Sequence, residues 1–429
     1  MKDINSSLLE FIDKSPTAFQ AVDSIKTILN NAGFTELKET EHWGLTAGGK
    51  YYTDRNGSAI IAFTLPESTP EAYRLYAAHS DSPAFKIKEQ AELKPVDEQY
   101  VCLNTEKYGG MLMAPWFDRP LSVAGRIVVK EDGRFVYKNV CVDRDLLMIP
   151  NLAIHMNREA NDGMKYNPQK DLIPLFGGAE SAGTFMKIVA EAAGVDSDAI
   201  LGHDLFLYNR MKGCVWGAND EFISAPRLDD LQCAFAGIMG LVQSVSTTDT
   251  SADVSVNLVA ILDNEEVGSG TRQGAASTFM EDVMCRIASF YGMTDEDYRV
   301  AMADSFMISA DNAHAVHPNY TDKADPTNRP YLNGGIVIKY NANQKYCTDA
   351  ISSARFRDIC SRAGVPVQTF ANRSDMAGGS TLGNIALTHV PVSAVDIGLP
   401  QLAMHSCYET AGARDTEYLV RAVKEYFGS

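Results

Sequence analysis

Acidic and histidine side chains directly follow apolar runs at several points in this sequence. They are His79 and Asp81 in AAHSDSP, Asp229 and Asp230 in PRLDDL, Glu265 and Glu266 in LDNEEVGSG, Asp311 in SADNAH, and His405 in AMHSCYE. Imidazole and carboxylate are ligands that zinc and similar divalent ions prefer. Ligands of open parallel sheets bind beyond the carboxyl ends of the strands, so side chains distant in sequence can converge there. The ordered set therefore predicts a metal site.

Each of these signals has a simpler explanation when it stands alone. An isolated His-x-Asp is common in surface loops, and adjacent acids such as Glu265 and Glu266 are usually solvated. A single Asp before a helix, such as Asp229, is more often an N-cap. The metal interpretation rests on the order of the whole set.

The residue types suit two metal ions that share a water. Two nearby cations repel each other, so such a site needs a bridging carboxylate and additional acids. Residues two apart in an extended segment face the same side, so His79 can bind metal while Asp81 orients its ring. Adjacent residues face different ways. Glu266 can therefore bind metal while Glu265 turns towards the shared water and acts as its general base.

The elements needed to position these groups follow from hydrophobic periodicity. Two amphipathic helices are predicted near the start, in SSLLEFIDKS and TAFQAVDSIKTILNNAGF, followed by a hairpin around Asn56-Gly57. From residue 228 onward, helical and strand-like segments alternate. This alternation predicts an α/β fold with a mostly parallel sheet flanked by helices.

The middle of the chain has a different character. The sequence of residues 92–224 is typical of β-hairpins, with a predicted turn at Glu131-Asp132-Gly133. It contains one clear helical pattern, in AESAGTFMKIVAEAAG. We therefore predict a β-rich insertion at 92–224 within a catalytic domain made of residues 1–91 and 225–429.

Composition excludes several other classes of protein. The 429 residues are 45% hydrophobic and 22% charged, which is typical of a globular chain. A net charge of −17 disfavours nucleic acid as a partner. No apolar run approaches the ~20 residues of a membrane-spanning helix, and the first residues do not resemble a signal peptide. Eight irregularly spaced cysteines indicate reduced thiols. We expect a cytoplasmic protein that does not bind membranes.

Several stretches resemble the aspartyl aminopeptidase and vacuolar aminopeptidase I family of dinuclear zinc aminopeptidases. The most specific are AAHSDSPAFKIK, SAPRLDDL, DNEEVGSGTRQGA, ISADNAHAVHPNY, DMAGGSTLGNI and GLPQLAMHS. The resemblance implies removal of the N-terminal residue from small peptides. It also implies two divalent ions per chain, zinc in the first place with cobalt or manganese as alternatives.

The same resemblance assigns roles to individual residues. It implies that Asp229 bridges the two metals, that His79 and Asp311 complete one, and that Glu266 and His405 complete the other, with Glu265 as base and Asp81 orienting His79. His314 matches a family histidine that reaches the active site of a neighbouring subunit. The family usually has Asp-Asn where this chain has Asp229-Asp230, and the sequence leaves open whether that peptide bond is cis.

The resemblance also bears on assembly and substrate choice. It implies that the insertion is a dimerisation domain and that dimers build a dodecamer. Candidate substrate-binding residues are Lys339, Lys345, Gly378 and Gly379. The branch specific for acidic residues has a lysine near the position of Asn343, so the sequence leaves acidic and neutral preferences open. A metallo-carboxypeptidase or deacylase of the same clan, and a non-catalytic shell protein, are the alternatives.

Overall fold

The computed structural model describes residues 3–97, 99–247 and 254–428. The helices in these ranges are α1 (Ile4–Asp13), α2 (Ala18–Asn31), α3 (Phe185–Ala193), α4 (Leu228–Thr247), α5 (Phe279–Phe290), α6 (Asp295–Asp304), α7 (Ala350–Ala363), α8 (Leu382–Ala386) and α9 (Asp415–Gly428). The strands are β1 (Thr35–Glu36), β2 (Lys50–Arg55), β3 (Ala59–Thr64), β4 (Ala72–His79), β5 (Ala84–Val96), β6 (Tyr100–Tyr108), β7 (Leu121–Glu131), β8 (Arg134–Cys141), β9 (Leu175–Gly178), β10 (Gly202–Asn209), β11 (Cys214–Trp216), β12 (Phe222–Ala225), β13 (Ser255–Leu262), β14 (Phe306–Ala310), β15 (Ala313–His314), β16 (Ile336–Tyr340), β17 (Val367–Ala371), β18 (Ser393–Gly398), β19 (Pro400–Leu402) and β20 (Glu409–Gly412).

A nine-stranded mixed sheet forms the centre of the larger unit. Its strand order is β1-β2-β3-β13-β4-β14-β18-β16-β17, and the central neighbours β13, β4, β14 and β18 run parallel. Side chains alternate between two apolar cores. Tyr76 and Ile261 face α1, α2, α4, α7 and α9, whereas Leu75 and Ala260 face α5, α6 and α8. This arrangement confirms the predicted α/β fold with helices on both faces of the sheet.

Local sequence signals correspond to the observed elements in most places. The Asn56-Gly57 turn joins β2 and β3, and Asp132-Gly133 joins β7 and β8. The structure also contains the helix α6, which the hydrophobic periodicity of DEDYRVAMAD does not predict. Its signal is a capping box, in which Thr294 and Asp297 satisfy each other's backbone N–H groups.

A six-stranded antiparallel sheet makes up most of the middle of the chain. Its strand order is β8-β7-β10-β5-β6-β9. It packs on an apolar core of its own, which includes Phe85, Leu103 and Phe185. Its strands run from Ala84 to Asn209, whereas β11 and β12 join β20, β19 and β15 in a third sheet. The division at 92–224 stays a prediction, and the sheet boundaries lie several residues before each end of that range.

Two further expectations concern cysteines and membranes. All eight cysteines are free thiols. In the described ranges, every helix is too short or too polar to cross a bilayer.

Candidate metal centre

Three neighbouring parallel strands deliver acids and a histidine to one edge of the nine-stranded sheet. His79 is the last residue of β4 and is aligned with Leu262, the last residue of β13. Asp311 directly follows β14, and the turn after β13 carries Glu265 and Glu266. Because β4 lies between β13 and β14, the three strand ends place these side chains together, as the sequence predicted.

The remaining candidate ligands come from the start of α4 and from the loop before β20. Asp229 and Asp230 lie in the first turn of α4, and the peptide bond between them, which the sequence left open, is cis. His405 lies between β19 and β20 with a φ of 65°. Both aspartates are buried, whereas the His405 side chain is about one third exposed.

Asp229 lies between two groups of potential metal ligands. Its Oδ1 is 3.5 Å from His79 Nε2, and its Oδ2 is 3.3 Å from His405 Nε2. His79 Nε2 is also 3.9 Å from Asp311 Oδ1, and His405 Nε2 is 3.4 Å from Glu266 Oε2. The first group also includes Asp230, and the ligand atoms within each group lie within 4.8 Å of one another.

The electrostatics of the cluster favour positive charge. Burial raises the pKa of Asp230, Glu266 and Asp311, and the neighbouring carboxylates raise each of them further. The pKa of Asp229 is lowered despite burial, because the imidazoles of His405 and His79 lie beside its two carboxylate oxygens. The pKa of His79 rises for the complementary reason, since Asp229 and Asp81 outweigh the effect of burial.

Several carboxylate oxygens in the cluster have no hydrogen-bond donor. Asp229 Oδ1, Asp230 Oδ1 and Glu266 Oε1 are buried without a hydrogen-bond partner. A buried polar atom left in this way is costly unless another ligand meets it. Carboxylate oxygens that face imidazole nitrogens at 3.3–3.5 Å, with further unpaired carboxylate oxygens beside them, form a ligand set that suits divalent cations. The residues therefore fit the metal site that the sequence predicts.

Two buried carboxylates hold the candidate ligands from behind. Asp81 accepts hydrogen bonds from the backbone N–H groups of Glu265 and Glu266, at 3.1 and 3.2 Å. Its backbone oxygen is 3.1 Å from His79 Nδ1, and its carboxylate is 3.4 Å from the same atom. Asp81 thus lies where the sequence predicted, behind the His79 ring.

Glu409 plays the corresponding part on the other side. It accepts hydrogen bonds from the N–H groups of Asp229 and His405, at 3.0 and 2.7 Å. Burial, together with the nearby Asp229 carboxylate, raises the pKa of Glu409 to about 8. The sequence analysis did not single out Glu409. The signal for it is an acid four residues after His405 in MHSCYE.

Glu265 lies next to the cluster without belonging to either ligand group. It is half-buried, and its neighbour Glu266 supplies the ligand atom. Burial raises the pKa of Glu265 to about 8, with Asp311, Asp81 and Asp229 adding to the rise and His79 opposing it. A cation bound beside Glu265 would lower this pKa and leave the carboxylate free to accept a proton.

The other predicted site residues have mixed surroundings. His314 is exposed at the end of β15, and partial desolvation together with Lys339 lowers its pKa. Lys339 is buried, and its Nζ is 3.5 Å from Asp311 Oδ2. Lys345 and Gly379 are exposed. At Gly378 a Cβ would come within 2.4 Å of Asn372 Oδ1, so the backbone there approaches a neighbouring side chain closely.

Comparison with known proteins identifies the family. The model of the aminopeptidase I zinc metalloprotease family, M18, matches residues 11–427. A probable M18 family aminopeptidase 2 from Clostridium acetobutylicum is 45% identical, over 98% of this chain and 97% of the relative.

Solved structures give the same answer. A chain in the cryo-EM structure of the Ape4 and Nbr1 complex is 34% identical with a TM-score of 0.96, covering 99% of this chain and 85% of that one. The S. cerevisiae mApe1 dodecamer is 27% identical with a TM-score of 0.87, covering 99% and 96%. These matches confirm the predicted resemblance and activity: the chain belongs to the M18 family of zinc metalloproteases and is a metal-dependent aminopeptidase.

Proposed function

We propose that this aminopeptidase works with two divalent ions per chain that share Asp229. His79 and Asp311 complete one site, and Glu266 and His405 complete the other. The observation that carries the proposal is the orientation of the Asp229 carboxylate, whose two oxygens face the two different histidines at 3.5 and 3.3 Å. A carboxylate shared in this way also reduces the repulsion between two close cations.

The reaction would be hydrolysis of the first peptide bond of a small peptide. When held by these residues, the ions would supply Lewis-acid activation of the attacking water and of the peptide carbonyl. Glu265 accepts the proton that the water releases as its oxygen bonds to the carbonyl carbon. The same carboxyl then delivers that proton to the departing amine as the C–N bond breaks.

Two further residues would support this chemistry. Lys339 holds the oxygen of Asp311 that faces away from His79, and so fixes the direction in which Asp311 presents its other oxygen. Desolvation lowers the pKa of His314 most, Lys339 and His405 of the same chain lower it further, and Asp229 opposes them. We propose that its imidazole donates to the developing oxyanion.

Assembly into a homo-oligomer is part of the proposal. The similar mApe1 of S. cerevisiae is described as a dodecamer. In this chain the segment between β8 and β9 exposes Leu152, Ile154 and Met156 by 55%, 45% and 72%. Exposed apolar side chains clustered in one segment are typical of an interface. We propose a dodecamer built from dimers, with peptides as substrates and zinc as the metal.

The proposed substrate pocket rests on the sequence resemblance and, within the described ranges, on no contact with the metal cluster. Lys345 is exposed after β16, and Gly378 and Gly379 lie in the loop before α8. In the described residues, neither hydrogen bonds nor ion pairs join these three to the metal cluster. They remain candidates for contacting the N-terminal side chain, and both acidic and neutral preferences stay open.

Metal analysis of an Asp229 variant tests the shared ligand. Asp229→Ala removes one ligand from each ion, so we expect the bound metal to fall from two per chain and the peptidase rate to fall with it. Asp304→Ala, at an exposed position in α6, is the matched control and should keep both. Two ions per Asp229→Ala chain would show that another residue bridges them.

A further inference from the structure

The end of β6 connects the six-stranded sheet to the metal centre. Tyr108, its last residue, packs its ring edge-on against Phe206 of β10, with ring centroids 5.5 Å apart. Gly109 follows with a φ of 75°, and a Cβ there would lie 3.1 Å from the Cβ of Glu266. The N–H of Leu112 donates to the His405 carbonyl at 3.0 Å. One short segment therefore touches both sides of the candidate metal site.

The Tyr108 hydroxyl joins two loops that carry candidate ligands. It donates to Asp81 Oδ2 at 2.7 Å and accepts from Asn264 Nδ2 at 2.8 Å. Asn264 Oδ1 accepts from Thr271 and Gln273, both at 2.8 Å, which fixes the amide with its nitrogen towards Tyr108. Since that nitrogen is a donor, the Tyr108 proton must point at Asp81.

The Asp81 carboxylate, held by Tyr108, in turn contacts the candidate base and two candidate metal ligands. It is 4% exposed, and its two oxygens accept the backbone N–H groups of Glu265 and Glu266. Its Oδ1 is also 3.4 Å from His79 Nδ1. Rotation of this carboxylate would therefore move the base, one ligand of the second ion and the ring of a ligand of the first.

We propose that Tyr108 is a positioning residue, supplied by the six-stranded sheet, that fixes Asp81 and through it the relative placement of Glu265, Glu266 and His79. The inference rests on the proposed ligand set. It also assigns the six-stranded sheet a part in catalysis that is separate from any part in assembly. Hydrogen-bond partners behind metal ligands typically change metal affinity or activity by about 10–100-fold.

Tyr108→Phe tests the hydroxyl while keeping the ring against Phe206. We expect kcat to fall by about 10–100-fold with KM within about twofold, because the substitution keeps the ring and removes only a hydroxyl that is bonded to Asp81 and Asn264. The visible absorption of the cobalt-substituted enzyme should change as the ligands shift. Tyr100→Phe, at the exposed opposite end of β6, is the matched control and should resemble the wild type. A wild-type kcat and cobalt spectrum in Tyr108→Phe would overturn the proposal.

A double-mutant cycle distinguishes positioning from a general loosening of the fold. If Tyr108 acts through Asp81, adding Tyr108→Phe to Asp81→Asn should cost little beyond Asp81→Asn alone. Multiplied losses would overturn the inference. Failure of the proposed ligand set would be visible separately, as a wild-type enzyme without two ions per chain. The kcat comparison and the cycle are performed on the enzyme as isolated and remain decisive in that case.

Discussion

Glu409 should be required for metal binding although it is not itself a proposed ligand. Its two oxygens accept the N–H groups of Asp229 and His405, and the side chain is 1% exposed. Each such hydrogen bond, when lost, leaves a buried N–H group unpaired at a cost of about 1–3 kcal/mol. Glu409→Ala would remove both and leave two buried donors unpaired. We expect it to destabilise the folded chain by about 3–5 kcal/mol and to weaken metal binding by about 10–100-fold.

Glu409→Gln should lie between the wild type and the alanine variant. It keeps the side-chain volume and one acceptor oxygen, but its amide nitrogen would face the other N–H group. We expect a loss of about 1–3 kcal/mol, the usual cost of one unsatisfied buried donor. Glu417→Gln, at an exposed position in α9, is the matched control and should change neither stability nor metal binding.

Metal affinity is best measured by competition with a chromogenic chelator, alongside urea unfolding of the metal-free chain. Positioning of ligands by Glu409 predicts the order wild type, Gln, Ala in both measurements. Wild-type metal affinity in Glu409→Ala would refute the reasoning, even if the variant were less stable. That result would mean that the backbone of Asp229 and His405 stays in place without its acceptor.

Three other predictions follow from the proposed mechanism. Glu265→Gln should retain the bound metal and lose about 10²–10⁴-fold in kcat, because an amide cannot accept the proton of the water; near wild-type turnover would exclude Glu265 as the base. N-acetylated peptides should be inert in an amino-acid release assay, and cleavage equal to that of free peptides would favour the deacylase alternative. Mixed oligomers of His314→Ala and Glu265→Gln chains should stay inactive if His314 serves its own chain, whereas recovered activity would place it in the site of a neighbouring subunit, as the sequence resemblance implies.

The sequence predicts the parallel sheet and the convergence of the candidate ligands for the same physical reason. A strand that is buried on both faces consists of a mostly apolar run of residues, such as VSVNLVAIL. The carboxyl end of such a strand can therefore be located from the sequence alone. Polar residues at those ends stand out because little else in the strand is polar. His79 and Asp311 are therefore visible in the sequence, and the structure places them 3.9 Å apart.

The residues that support the ligands are much harder to predict. Glu409 and Tyr108 act through backbone N–H groups or through another side chain, and the only spacing signal for either is the acid four residues after His405. Lys339 shows the reverse difficulty. A lysine near a candidate substrate segment invites a substrate role, but burial beside Asp311 gives its ammonium a partner inside the protein. Only the tertiary arrangement provides this information.

The arrangement of acids around the centre explains how so many carboxylates can be buried together. Asp81 and Glu409 are each compensated by two backbone N–H groups, so they need no cation. Asp229 and Glu266, two of the proposed ligands, each keep a buried oxygen without a hydrogen-bond donor, as does their neighbour Asp230, and a cation between them would compensate these oxygens. The chain thus divides its buried acids by how they are neutralised. Those met by amides form a fixed support, and those left unmet face inward, where the proposed ions would bind.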